Sequence, residues 1–240
     1  MRIVLVAIFL IIFAVISIPL YFVAWLLGKK DEKLQVAFSQ WIVRNGFHII
    51  FVIAGAKVVC KGLENVPKDE AVMYIGNHRS YCDILAGYMT VPTLTGFVSK
   101  DDLAKVPCLS HWMRLLKCLF LNRKDPKEGM KMIMQGIQQI KQGFSIFIMP
   151  EGTRNKTEQN LLPFHQGSFR LATKTGCAIV PVAMKNTEKV IPNHFAWFHP
   201  TKVLVEYGEP VYPKDLSPEE QKQIASYMQG KMEEMLDNME

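Results

Sequence analysis

The stretch Ala71–Ile84, AVMYIGNHRSYCDI, decides how the chain is read. Ala71–Ile75 is an unbroken apolar run of strand length, and Gly76 and Asn77 end it before a helical pattern begins at Asp83. A short strand that passes through a loop into a helix is the repeating joint of an α/β protein, and loops at such joints face the crevice where ligands bind. His78 and Asp83 lie in this loop, five positions apart. Two readings compete. In one, Ser80-Tyr-Cys-Asp83 is a capping box whose carboxylate serves backbone donors at the helix start. In the other, Asp83 turns back to accept the imidazole Nδ1–H and leaves Nε2 to remove a proton from a substrate hydroxyl. Ser80 and Cys82 are weaker nucleophile candidates, since neither sits in a recognisable hydrolase elbow or thiol-protease context.

Outward from this joint the same alternation recurs. Strands are predicted near Lys57–Lys61, Ala71–Gly76, Gly96–Lys100, Cys118–Asn122, Phe144–Met149, Ala178–Met184 and Lys202–Tyr207. Helices fit near Asp83–Met89, Trp112–Leu116, Lys127–Gln142, Gly167–Lys174 and Pro218–Asp237. The expected architecture is an α/β domain over residues 57–240, a mixed, largely parallel sheet flanked by helices. Walker and G-x-G-x-x-G patterns are absent, which argues against nucleotide chemistry.

Residues 1–56 have a different character. No charged residue occurs from Ile3 to Gly28, and Ile3–Leu27 forms a helix of about 37 Å, longer than the apolar core of a bilayer. The segment exceeds a signal peptide's apolar region and no small-residue cleavage site follows, so it reads as an uncleaved anchor, with Pro19 placed to kink it. Leu34–Ala56 is apolar but interrupted by Arg44, Asn45 and His48, as in an interfacial helix that returns against the first or packs on the domain. Lys29, Lys30 and Lys33 follow the anchor while Arg2 precedes it, which puts the domain on the cytoplasmic side of the cell membrane.

Residues 214–240 carry 3 basic and 7 acidic residues, leaving 25 basic against 15 acidic elsewhere, a net +10. A basic body beside a membrane anchor suits anionic lipid or phosphorylated substrates, and no nucleic-acid motif is present. Cys60, Cys82, Cys108, Cys118 and Cys177 are odd in number and widely spaced, which fits neither a disulfide framework nor a zinc site. The histidines other than His78 show no metal-ligand spacing, so no metal is expected. Asn155-Lys-Thr157 matches a glycosylation acceptor, relevant only in a secretory lumen. Trp112, Trp197 and Phe198 read as interfacial anchors or as packing residues, the latter favoured.

A second cluster ends the predicted strand at Phe144–Met149: Pro150-Glu-Gly-Thr-Arg154. A glycine lets backbone N–H groups approach an anion and an arginine grips phosphate oxygens with two parallel hydrogen bonds, so Gly152, Thr153 and Arg154 form a candidate phosphate site. Taken alone, a turn with a solvated arginine is the favoured reading of the motif.

Together, Asn77-His78 with Asp83 and Pro150–Arg154 about 70 residues later resemble the glycerolipid acyltransferase family, especially its bacterial lysophosphatidic acid acyltransferases. Phe120-Leu-Asn-Arg123 is similar to the family's middle block and Ile179-Val-Pro-Val182 to its last, and the resemblance runs from roughly Lys57 to Pro210. Lys117, Asn122 and His165 stand where glycine, aspartate and lysine are common.

The resemblance implies a membrane enzyme without a cofactor, moving an acyl group from a coenzyme A or acyl carrier protein thioester to 1-acylglycerol 3-phosphate. His78 is then the base and Asp83 its orienting partner. Arg123, Gly152, Thr153 and Arg154 hold the acceptor phosphate, with Glu151 as an orienting residue beside them. Acylation of another lysophospholipid, or lysolipid binding without catalysis, is the alternative.

Overall fold

The computed structural model describes residues 2–122, 125–191 and 198–239. Two helices come first, α1 (Arg2–Lys30) and α2 (Glu32–Ala54), folded back on each other at Asp31, whose side chain caps α2 by accepting Lys33 N–H at 2.7 Å. Arg2 donates to the Ala54 carbonyl and Gln35 to the Ala24 carbonyl, so the pair is tied near both ends. α1 runs unbroken through Pro19. Its buried residues, Val6, Ser17 and Ala24, recur at whole helical turns and form one stripe, while Ile3, Ile11, Ile18, Phe22 and Trp25 face outward. Both helices are long and apolar enough to cross a membrane.

Gly55, at φ +76°, ends α2 and turns the chain directly into the first strand. The domain then runs β1 (Ala56–Lys61), β2 (Met73–Gly76), α3 (Cys82–Thr90), β3 (Thr95–Lys100), α4 (Leu109–Leu115), β4 (Leu119–Leu121) and α5 (Pro126–Lys141). It continues through β5 (Ser145–Ile148), α6 (Arg170–Thr175), β6 (Ile179–Lys185), α7 (Thr187–Val190), β7 (Thr201–Tyr207), α8 (Pro218–Lys222) and α9 (Ile224–Asn238). The seven strands lie in the order β1-β7-β6-β2-β5-β3-β4. Five run in one direction, and β7 with its parallel partner β1 runs against them, which makes the sheet mixed and mainly parallel as expected.

Side-chain alternation along the central strands builds two cores. Tyr74 of β2 points to the face covered by α2, α3 and α4, whereas Met73 and Ile75 point to the face covered by α5, α6 and α9. On the first face an aromatic row fixes strand register: Tyr74 pairs with Phe147 and Phe147 with Phe97, with rings 5.7 and 4.5 Å apart. Gly87 lets α3 approach this row, since a Cβ there would lie 2.9 Å from the Phe97 ring.

The helix pair is built onto this face by polar contacts. The Gln40 side chain donates to the Thr93 carbonyl and accepts Thr95 N–H, while Arg44 donates to the carbonyls of Tyr88 and Val91. Trp112, a candidate interfacial anchor, is 3 % exposed and donates Nε1–H to Ser17 Oγ at 2.9 Å, so it fastens α4 to α1. Phe198 packs half-buried against the core, and Trp197 lies outside the described residues.

Three elements differ from expectation. α4 begins at Leu109 rather than Trp112, and α7 was not visible as a pattern because four residues hold only about one helical turn. The single helix expected over Pro218–Asp237 breaks at Gln223, where the Gln166 side chain accepts Ala225 N–H and holds the start of α9 against the preceding core.

Candidate active site

Register places the two sequence clusters side by side. β2 and β5 are parallel neighbours in which Ile75 pairs with Ile148, and the residues three positions beyond them are His78 and Glu151. Glu151 Oε1 accepts His78 N–H at 2.6 Å, and its Oε2 accepts Leu162 N–H at 2.8 Å. On the other side of the same residue, the His78 carbonyl accepts Asn155 N–H at 2.6 Å. The histidine backbone is therefore clamped from both directions. Asn77 extends the β2–β6 ladder by one step, donating to the Met184 carbonyl at 2.9 Å and accepting Met184 N–H at 2.8 Å.

The cap and the dyad prove to be one arrangement. Asp83 Oδ2 lies 2.8 Å from His78 Nδ1 and also accepts the backbone N–H of Arg79 at 2.7 Å and of Ser80 at 2.8 Å. The carboxylate that orders the loop thus also orients the ring, with Nδ1 facing the acceptor and Nε2 left as the lone-pair nitrogen. Asp83 is fully buried while the His78 side chain is 18 % exposed, which leaves the imidazole reachable. Cys82 is buried and burial pushes its thiol up to about 12, so it stays protonated near neutrality and is no nucleophile. Ser80 Oγ accepts Cys82 N–H at 3.2 Å and belongs to the loop's internal bonding. Among the described residues no three His, Cys, Asp or Glu side chains converge as metal ligands.

The phosphate cluster divides into different roles. Glu151 faces inward and spends both oxygens on backbone amides, so it braces His78 instead of lying among the phosphate ligands. Gly152, at φ +69°, donates its N–H to the Met149 carbonyl at 3.0 Å; it forms the turn, and that donor is unavailable to a phosphate. Thr153 is exposed at the rim. The Arg154 guanidinium lies 4.0 Å from the Tyr81 ring and meets no carboxylate among the described residues, leaving its planar donors open beside the histidine loop. Arg123 lies outside the described residues.

Burial raises the Glu151 pKa above its ordinary 4.5, with the two backbone N–H groups opposing the shift. A raised carboxylate pKa means that the folded chain takes the proton more readily than the unfolded one. Its contribution to stability therefore falls as pH rises from about 4.5 through the raised value, then stays constant. Urea unfolding of wild type and Glu151→Gln across this range will show a wild-type-minus-variant stability that declines with pH. A difference independent of pH would remove the assignment.

Several contributors carried no decisive pattern in the sequence. Arg79 donates through Nη1 to the Gln159 carbonyl and through Nη2 to the Thr157 carbonyl, locking the two loops together. Asn155, within an apparent glycosylation acceptor, is 2 % exposed; it donates to the Gln159 carbonyl and accepts Thr157 N–H and Oγ1–H. Its amide is turned into the loop and held by the loop's own hydrogen bonds. Lys117, at φ +61°, pairs with Glu32 and lies over Phe144, ahead of β5 and at the opposite end of the sheet from His78. That departure from the resemblance therefore concerns attachment of the helix pair, not the acceptor head group.

The sequence profile of the Acyltransferase family matches residues 57–185. The 1-acyl-sn-glycerol-3-phosphate acyltransferase of Saccharomyces cerevisiae is 29% identical over 217 residues, which cover 89% of this chain and 68% of that protein. The chloroplastic 1-acyl-sn-glycerol-3-phosphate acyltransferase BAT2 of Brassica napus is 34% identical over 137 residues, 57% of this chain and 39% of that protein, so the match spans about two fifths of this relative's length. The crystal structure of the 1-acyl-sn-glycerophosphate (LPA) acyltransferase PlsC from Thermotoga maritima superposes with a TM-score of 0.77 at 26% identity, covering 99% of this chain and 97% of that one. The profile match takes in more than half of the residues, including both interlocked loops, and the chain belongs to the acyltransferase family.

Proposed function

We propose that this chain is a membrane-bound acyltransferase that moves a fatty acyl group from a thioester to the 2-hydroxyl of 1-acylglycerol 3-phosphate, giving phosphatidic acid. The observation that carries the reading is the reachable His78 ring, fixed at Nδ1 by buried Asp83 and flanked by the open Arg154 fork. A thioester is already activated, so transfer needs alignment, removal of the hydroxyl proton and stabilisation of the oxyanion. His78 Nε2 takes the hydroxyl proton as the oxygen attacks the thioester carbonyl, and Asp83 stabilises the resulting imidazolium. Collapse of the tetrahedral adduct breaks the C–S bond, and the leaving thiolate takes the proton back from His78. No enzyme-bound acyl group and no cofactor is required.

Arg154 holds the acceptor phosphate at the rim with Thr153, and Arg123 is proposed as a further ligand. The outward apolar face of α1 seats in the lipid, and Lys29, Lys30 and Lys33 keep the domain on the cytoplasmic side of the cell membrane. The site then meets acceptor and product without extracting either fully into water.

Thiol release from long-chain acyl-coenzyme A by the purified protein in detergent, with and without lysophosphatidic acid, tests the reading. Release that depends on the acceptor is expected. Release indifferent to the acceptor, from every thioester offered, removes the transferase. Arg154→Ala should raise the acceptor KM roughly 10- to 100-fold, the loss of a charge-assisted bidentate contact, with a smaller change in kcat. An unchanged KM would mean that the phosphate sits elsewhere.

A further inference from the structure

Two arginines at the histidine loop are fixed in different ways. Arg79 spends both terminal nitrogens on the carbonyls of Gln159 and Thr157, so its donors go to holding two loops together. Arg154 meets no carboxylate among the described residues, and its guanidinium lies 4.0 Å over the Tyr81 ring. A guanidinium held against a ring face keeps its in-plane N–H groups for another ligand, because the ring attracts the charge without occupying those donors.

Tyr81 stands between His78 and Asp83 in the sequence, immediately before α3. Its backbone is already helical, at φ −64°, and its carbonyl accepts Ile84 N–H at 3.2 Å. The loop around it is ordered without its side chain, since Asp83 accepts the amides of Arg79 and Ser80. The ring itself is 56 % exposed, so core packing does not account for it. Arg154 is joined to the same loop through its backbone as well: Asn155, next in the chain, donates N–H to the His78 carbonyl at 2.6 Å. The arginine is thus tied to the histidine loop twice, by the chain beside His78 and by its head group on Tyr81.

We infer that Tyr81 is a positioning residue for the acceptor: its ring holds the Arg154 guanidinium in place before the substrate arrives, so that the open N–H edge meets the phosphate beside His78. An arginine that must be ordered on binding loses rotamer freedom, and one already laid on a ring loses less. The ring face is the part that acts, because it attracts the charge with or without the phenol hydroxyl. The inference rests on the reading of Arg154 as the acceptor's phosphate ligand and adds the group that aims it.

The test is a double-mutant cycle between Tyr81→Ala and Arg154→Ala in full-length protein in detergent, with Tyr81→Phe and Tyr81→Trp beside it. Acceptor KM, thioester KM and kcat are measured with lysophosphatidic acid and long-chain acyl-coenzyme A, together with the lysophosphatidic acid Kd by calorimetry and the melting temperature. Tyr81→Ala should raise the acceptor KM and Kd about 3- to 30-fold, the scale of one cation–π contact, while kcat, thioester KM and melting temperature hold. In the Arg154→Ala background the same substitution should change the acceptor constants by less than about twofold, and Tyr81→Phe and Tyr81→Trp should recover the wild-type values. An equal rise in both backgrounds overturns the inference, since the ring would then act without the arginine. So does a Tyr81→Phe protein as impaired as Tyr81→Ala, which assigns the effect to the hydroxyl. A loss seen in kcat and melting temperature in place of acceptor affinity marks a structural role and overturns it too. Should wild type transfer no acyl group yet bind lysophosphatidic acid with this coupling, the paired Tyr81 and Arg154 stand and the transferase reading falls; neither turnover nor binding removes both.

Discussion

His78→Ala will lower kcat by about 10²- to 10⁴-fold with little change in melting temperature. The magnitude is what a positioned general base contributes to proton removal from a hydroxyl. Stability should hold because the backbone contacts of residue 78, to Glu151 and Asn155, do not involve the imidazole, and Asp83 keeps the amides of Arg79 and Ser80 after the ring is gone. Single-turnover measurement of thiol release, beside a thermal melt and vesicle co-sedimentation, separates chemistry from folding and membrane binding. Turnover near the wild-type rate in a folded His78→Ala protein would remove the histidine from the mechanism.

Asp83→Asn will cost both activity and stability, and the pair of losses distinguishes it from His78→Ala. An amide oxygen in the place of Oδ2 still accepts the backbone N–H groups of Arg79 and Ser80, so the loop keeps its path. The charge that stabilises the imidazolium is lost and the ring's tautomer is no longer dictated, which lowers kcat by about 10²- to 10⁴-fold. The amide nitrogen takes the place of Oδ1, a buried atom with no partner among the described residues, and an unsatisfied buried donor costs about 1–3 kcal/mol. Steady-state kinetics and denaturant unfolding read the two effects. A kcat within about threefold of wild type would leave Asp83 as a cap and nothing more.

The sequence showed the joints of the fold but not their alignment. Apolar runs bounded by Gly, Asn and Pro located the strands because a pleated, buried segment demands that composition locally. The order β1-β7-β6-β2-β5-β3-β4 and the reversed direction of β7 arise from which runs bury each other, which no local pattern encodes. Short elements escaped for the same reason. α7 has too few residues for a period, and α8 and α9 separate where Gln166, far away in sequence, takes an amide of the helix start.

At the site, His78, Asp83 and Arg154 were legible because their chemistry stands out from their surroundings. Glu151 was legible as a residue, but its place was not: only the pairing of Ile75 with Ile148 brings its carboxylate under the His78 amide. Asn155 read as a glycosylation motif until the loop closed over its side chain. Trp112 read as a residue of either membrane or core until Ser17 was found bonded to its ring nitrogen.

By itself the sequence determined an apolar N-terminal segment, an alternating α/β pattern and a histidine–aspartate pair at a strand end, because these follow from composition and from spacing within one element. The tertiary structure decided that one carboxylate oxygen caps a loop and orients an imidazole together, and that Glu151 and Gly152 build the site from within. Each of those depends on groups distant in the chain meeting at hydrogen-bond range, and the parallel register of β2, β5 and β6 sets that range.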